Sequence, residues 1–345
     1  MTFNSLDRQE IVRCLGNLSG YLLSPKFPLD IEKKISEANP WFTRANVDVA
    51  LRAIGKSLQP EKVSKWLSAY PETDGKPLRC GLILAGNIPA VGFQDILAVI
   101  ASGNKAVIKL SSQDNVLIPH LLESLVKANG NLRHSFDIVE RLTDYDTVIA
   151  TGSNNSSRYF EYYFSKVPHI IRKNRNSVAV LTGEEFRDDY EGLGNDIFRY
   201  FGLGCRNVSK LYVPHDYNFE RFFTAIEHWS HLMDFHKYAH NFDYQLTLSM
   251  INRLKHYSNG FLVLNENASM HSPIAALHYQ RYQNLDEVRQ VLQRDRAGIQ
   301  CICALQELNL ERSTPFGTTQ EPELWDYADG VDVMHFLLDL QNVQQ

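Results

Sequence analysis

Cysteine is scarce in this 345-residue chain: Cys14, Cys80, Cys205, Cys301 and Cys303 are an odd, scattered set that makes no disulfide framework and fits a reducing compartment. Long apolar runs are missing too. The longest clean one, residues 96–101, falls far short of the roughly 20 residues that cross a bilayer, and residues 1–14 alternate polar and apolar with no signal-peptide core. There is no excess of positive charge either, since 35 Lys and Arg face 40 Asp and Glu for a net charge of −5. A global field for nucleic acid or anionic lipid is therefore absent, and any anionic ligand must be held by local groups. No repeat, low-complexity tract or heptad run stands out. The reading these absences leave is a cytoplasmic globular protein with no nucleic-acid partner and no integral membrane segment.

Apolar residues make up 44% of the chain and charged residues 22%, so a sizeable core is available, and the length corresponds to about two domains. From Leu6 to about Tyr70 apolar residues recur at helical spacing, as in Ile11, Cys14, Leu15, Leu18 and Leu22, which predicts a helical layer. Residues 71–77, with two prolines and Gly75, read as a linker. Beyond it the pattern alternates. Residues 78–85 and 105–110 read as strands, 91–101 and 116–128 as helices, and short strands at 136–139, 147–150 and 177–181 bracket a helix at 156–165. Such alternation implies an α/β fold with a mostly parallel sheet, whose ligands sit at strand C-terminal ends. A helix over 187–204 then leads through Gly202-Leu203-Gly204-Cys205 into a strand at 210–213 and a second α/β stretch. Residues 331–340 read as a strand or a helix. The expected division is a helical region 1–76 packed on a dinucleotide-binding domain 77–182, a catalytic domain 183–313, and a C-terminal segment 314–345.

Cys205 follows two glycines in a loop before a strand and precedes Arg206, a setting that suits an accessible thiol of lowered pKa, although a lone cysteine is usually packing. The other four read as buried small hydrophobes. Asn87, in Gly86-Asn87-Ile88-Pro89, lies where an open sheet presents its ligands. Its amide either serves the turn or donates to an oxyanion. Lys109, Ser111 and Ser112 end the second strand, and Gly152 and Ser153 end another strand and open a helix whose free N–H groups favour phosphate. His228, His231, His236 and His240 have spacings that could clasp a metal, but no zinc signature accompanies them and no metal is assigned. Arg172, Lys173 and Arg175 read as a solvated strand entrance, with an anion pocket as the alternative.

The segments Leu82 to Pro89, Val107 to Ser112, Ala150 to Ser153 and Gly202 to Cys205 come in an order and spacing that resemble the aldehyde dehydrogenase superfamily. Within it, the chain is similar to the acyl-CoA reductase family that includes the fatty acid reductase of bacterial luminescence. That resemblance implies a Rossmann-like cofactor domain and an α/β catalytic domain. It implies Cys205 as nucleophile, Asn87 as oxyanion donor, and Lys109, Ser111, Ser112, Gly152 and Ser153 as the cofactor seat. Two departures bear on chemistry. Ser112 stands where NAD-preferring relatives carry a Glu that would repel a 2′-phosphate, which points to NADPH, with NADH as the alternative. Arg172 to Arg175 offer no carboxylate where hydrolytic relatives carry a general base. The expected reaction is NADPH-dependent reduction of an acyl-CoA, of fatty type, to an aldehyde through an acyl-cysteine. The alternatives are an aldehyde dehydrogenase, a reductase of another activated acyl group, and a non-catalytic acyl-binding subunit. A homo-oligomer, built by analogy through residues 331–340, or association with an acyl-activating partner completes the expectation.

Overall fold

In the computed structural model, which describes residues 7–24, 27–72 and 75–343, Asp7 and Glu10 form a capping box that starts helix α1, Arg8–Leu23. The expected start of the helical layer, Leu6, and residues 73–74 of the linker lie outside the described residues. Helices α2, Leu29–Ala38, α3, Arg44–Ser57, and α4, Pro60–Ser68, follow, with Thr43 capping α3 and Pro60 pre-set for the first turn of α4. The apolar stripe of α1, Ile11, Cys14, Leu15, Leu18 and Leu22, is buried, as its spacing predicts.

The alternating region then builds β1, Arg79–Ile83, α5, Phe93–Ala101, β2, Lys105–Lys109, α6, Leu117–Ala128, β3, Phe136–Ile138, β4, Thr147–Thr151, α7, Asn154–Phe164, and β5, His169–Arg172. The five strands pair in parallel in the order β3-β2-β1-β4-β5. The order reverses at β1, so the C-terminal ends of β1 and β4 flank the switch point where such sheets take ligands. Strand β5 covers residues that the sequence presents only as a basic strand entrance. Its last residue, Arg172, is 5% exposed, and its guanidinium makes a two-pronged contact with Asp95 of α5, Nη2 to Oδ1 at 2.9 Å and Nη1 to Oδ2. Lys173 pairs with Glu161 at 2.8 Å. The anion-pocket alternative for this cluster is thereby corrected: its buried guanidinium already has a carboxylate, and removing either partner would strand a buried charge.

The chain divides into two compact units, 1–174 with 321–345, and 175–320. The second unit begins with β6, Asn176–Val180, which the sequence reading continues from the first sheet. In the structure β6 pairs with strands far along the chain. Those elements are α8, Arg187–Phe198, β7, Val208–Pro214, α9, Glu220–Ala225, α10, His236–Ile251, β8, His256–Ser258, β9, Val263–Glu266, β10, Ala276–Tyr282, α11, Leu285–Arg294, β11, Ile299–Ala304, and β12, Ser313–Thr314. Their sheet runs β12-β11-β6-β7-β10-β9-β8 and is parallel except for β8 against β9.

The chain returns to the first unit through α12, Val333–Val343, which settles residues 331–340 as mainly helix. Val333, Met334 and Leu337 of α12 are buried in the core shared by α1, α4, α5 and the first sheet, and Leu338 is buried as well. Polar contacts fasten the same segment: Trp66 Nε1 donates to Tyr327 Oη at 2.6 Å, and Gln341 Nε2 donates to Asn104 Oδ1 at 2.8 Å. No helix among the described residues is long and apolar enough to cross a membrane.

Candidate active site

In the first unit, the groups named from the sequence stand at three strand ends. Gly86 and Asn87 follow β1, Lys109 ends β2, Gly152 and Ser153 follow β4, and Ser111 and Ser112 sit in the turn after β2. Glycine is required at 86 by proximity, because a Cβ there would lie 2.5 Å from Ser111 Oγ and 2.7 Å from its Cβ. Ser111 also accepts from Gln113 N at 3.2 Å, so its hydroxyl serves the turn. Ser112 is exposed.

The loop that carries Asn87 is closed by a residue the sequence reading passed over. Asp114 is 3% exposed, and its Oδ2 accepts from the N–H of Ala90 at 2.8 Å, at a point where Ala90 is left-handed with φ 55°. Its other oxygen faces the Ile118 N–H at 3.4 Å. Burial pushes the carboxyl up to about 6, against the lowering effect of the N–H groups of Ala90, Ile118 and Leu117. No motif announces this role, since Asp114 acts across 24 residues on a turn that only the folded sheet brings near.

Helix α7 opens on Gly152 and Ser153. A Cβ at Gly152 would meet Phe160 Cε2 at 2.8 Å and Ser156 Cβ at 2.9 Å, so glycine lets the helix start tight against β4. Ser153 caps it, accepting from Ser156 N at 3.2 Å. The first two N–H groups of the helix, Asn154 and Asn155, have no intrahelical acceptor and carry the positive end of its dipole. Lys109 and Ser112 stand at the end of β2 in the same sheet, and Ser112 carries no carboxylate. Asp114, the nearest acid in sequence, is buried and turned to Ala90.

In the second unit the chain leaves α8 through three successive left-handed residues, Tyr200, Phe201 and Gly202, with φ of 54°, 58° and 76°. Such backbone costs about 1–2 kcal/mol at a residue other than glycine, and burial offsets it here: Phe201 stacks on Phe235 with centroids 4.7 Å apart. A β-turn follows, Gly204 to Asn207, with Cys205 at its first corner and the Asn207 N–H on the Gly204 carbonyl at 3.0 Å. Asn207, 3% exposed, clamps the turn from both sides. Its Oδ1 accepts from Gly204 N at 2.8 Å, while its Nδ2 faces the C-terminal carbonyls of α8, Asp196 at 3.0 Å, Ile197 at 3.3 Å and Arg199 at 2.9 Å. The Cys205 carbonyl accepts from Ser177 Oγ at 2.9 Å, and that oxygen in turn accepts from Cys301 N at 3.1 Å.

Cys205 is half-buried, whereas Cys14, Cys80, Cys301 and Cys303 are buried, and none of the five forms a disulfide. The guanidinium of Arg206 places its Nη1 3.5 Å from Cys301 Sγ. Cys303 faces Asp196 Oδ2 at 3.6 Å, and burial pushes its thiol well up. Asp196 also accepts from Gly317 N at 2.6 Å and Thr319 Oγ1 at 2.7 Å, so α8 holds the 317–319 segment as well as the cysteine turn. His228 and His231 direct Nδ1 to the carbonyls of Ala225 and His228, at 3.1 and 2.7 Å. Among the described residues no group of three or more His, Cys, Asp or Glu is placed to hold a metal ion.

Residues 51–225 match the family model described as acyl-CoA reductase (LuxC). No curated protein matches the chain. Many solved structures do. One is aldehyde dehydrogenase 21 of Physcomitrella patens, solved with the product succinate: 12% identical, covering 97% of this chain and 84% of that one, TM-score 0.69. Another is a mutant of the indole-3-acetaldehyde dehydrogenase AldA of P. syringae with NAD+ and IAA: 12% identical, covering 88% and 72%, TM-score 0.63. A mutant of aldehyde dehydrogenase C of Pseudomonas syringae, with NAD+ and octanal, is 13% identical, covering 90% and 75%, TM-score 0.63. At these identities the likeness is one of fold.

Two outcomes follow from the clamps. Asn207→Ala leaves a buried N–H and three carbonyls without their side-chain partner, so denaturant unfolding should show a loss of about 1–3 kcal/mol. Asn207→Asp keeps the Gly204 contact but sets a carboxylate against the carbonyls, and should not restore it. For Asp114 the folded pKa lies above the ordinary 3.8, so the folded state holds the proton more tightly. Its contribution is present below about pH 4 and lost as pH rises through about 6. Measured from pH 4 to 7, the stability of Asp114→Asn relative to wild type should therefore rise, by on the order of 3 kcal/mol, and then level off; a flat difference would refute the assignment.

Proposed function

The chain belongs to the LuxC family of acyl-CoA reductases and is an oxidoreductase, and on that premise we propose that it reduces a fatty acyl-CoA thioester to the aldehyde through an acyl-enzyme on Cys205. The observation that carries this reading is the setting of that residue. Alone among the five cysteines it is not buried, and it stands at the corner of a turn clamped to α8 by Asn207.

As thiolate, Cys205 attacks the thioester carbonyl, forming a carbon–sulfur bond and an oxyanion. That oxygen needs N–H donors, a role that the family resemblance gives to the Asn87 amide and the Cys205 backbone N–H, and each such donor is worth about 3 kcal/mol in the transition state. Collapse expels coenzyme A as a stable thiolate, leaving an acyl-cysteine. When bound, the reduced nicotinamide supplies the hydride that converts this acyl group to a thiohemiacetal. The same donors hold the second oxyanion, which then regains its carbonyl as the carbon–sulfur bond breaks, freeing the aldehyde and returning Cys205 as the thiolate that began the cycle. Lys109, Ser112 and the first N–H groups of α7 bind the ribose and diphosphate. No general base is needed to activate water, which agrees with the absence of a carboxylate in residues 172–175.

The absence of a carboxylate at Ser112 supports NADPH as the cofactor. A nicotinamide absorbance assay with a saturated acyl-CoA should show cofactor oxidation matched by aldehyde, faster with NADPH than with NADH. Cys205→Ser should lower kcat at least about a thousandfold, Asn87→Ala about 10²–10³-fold, and Ser112→Glu should turn the preference toward NADH. Undiminished turnover by Cys205→Ser would refute the reading. Turnover of an acyl phosphate but not of the thioester would replace the substrate class.

A further inference from the structure

A cavity of about 340 Å³ lies within the second unit, between α11 and the edge of its sheet formed by β11 and β12. Its size is within the range of about 300–1,000 Å³ typical of small-molecule sites. The floor is aliphatic: Leu292, Ile299, Ile302 and Leu310 line it, and all four belong to or pack against one buried cluster. Ile299 and Ile302 are three apart on one strand and would face opposite sides of a regular sheet. The register shift between them lets both reach the cavity. The bulge therefore widens the apolar floor.

The rim is basic. Arg289 pairs with Asp286 at 2.8 Å and reaches the Leu308 carbonyl at 3.3 Å. Arg296 pairs with Glu311 at 3.1 Å, with both side chains at least half exposed. Arg312 is exposed, stands in left-handed backbone with φ 61°, and makes no hydrogen bond or ion pair among the described residues. Three guanidinium groups against two carboxylates leave one positive charge in excess, over an aliphatic floor. No aromatic residue lines the cavity to stack a base. The charge and shape suit a single anionic head on an aliphatic body better than a nucleotide with several phosphates.

We propose that this cavity is a second ligand site that takes a medium- or long-chain alkanoate, its carboxylate on Arg312 and its chain on Leu292, Ile299, Ile302 and Leu310. The choice of alkanoate rests on the acyl substrate proposed above, since the free acid is that acyl group without its thioester. Coordination by a planar guanidinium fits a carboxylate in two-point contact.

The test is hydrogen exchange of the full chain with dodecanoate as probe, read on peptides spanning 299–312. With ligand at ten times its Kd, exchange there should slow roughly tenfold in wild type. Arg312→Lys, which keeps the charge but loses the two-point contact, should keep part of the protection. Arg312→Glu should lose it while keeping the wild-type unfolding midpoint, because Arg312 holds nothing in the folded chain. Dodecan-1-ol, which lacks the charge, should protect at least tenfold less effectively. Unchanged exchange in wild type at the solubility limit of dodecanoate, or equal protection in Arg312→Glu, would overturn the site. The readout needs no turnover: if acyl reduction by Cys205 were the part in error, cofactor oxidation would be absent while this protection remained.

Discussion

The side-chain amide of Asn207 makes four hydrogen bonds to backbone at once, one to the N–H that opens the cysteine turn and three to the carbonyls that end α8. The last carbonyls of a helix need partners from outside it, and here a single buried residue supplies them and spends its remaining atom on Gly204. Helix end and cysteine turn are thereby tied together. Ser177 adds a second tether from β6 to the Cys205 carbonyl, and Asp196 ties the 317–319 segment to the same helix. The left-handed run at 200–202 is tolerated because Tyr200 and Phe201 are buried. Backbone strain beside a reactive side chain is a common way of fixing its direction.

The first unit uses the same economy of short-range groups at strand ends. Gly86 allows β1 and β2 to end side by side, Asp114 closes the loop bearing Asn87, and Gly152 brings the start of α7 against β4. The buried Asp95 and Arg172 pair joins α5 to β5. Its interior position means that Arg172 supports the fold.

Much of this arrangement was legible in the sequence, for physical reasons. Local periodicity exposes α1, α5 and α6, and the paired glycines before Cys205 mark a turn where the chain must reverse hand. What stayed hidden depends on contacts distant in sequence. Asn207 looks like any turn asparagine until α8 ends beside it. Arg172 reads as solvated until Asp95, 77 residues earlier, is placed against it. Strand β6 reads as part of the first sheet because its partner β11 lies more than a hundred residues on, and β5 is masked by the basic residues that begin at its last position. Arg206, next to Cys205 in sequence, has its Nη1 within reach of Cys301 Sγ, a contact that no local spacing announces.

The account stands on Cys205 as the atom that accepts the acyl group. Intact-mass analysis after mixing with an acyl-CoA in the absence of reductant tests that directly, with proteolysis to locate the adduct. The expected result is a single acyl increment on the peptide containing Cys205, stable until reduced cofactor is added and absent from Cys205→Ala. An acyl increment of equal size on Cys205→Ala, or none on the wild type, would contradict it.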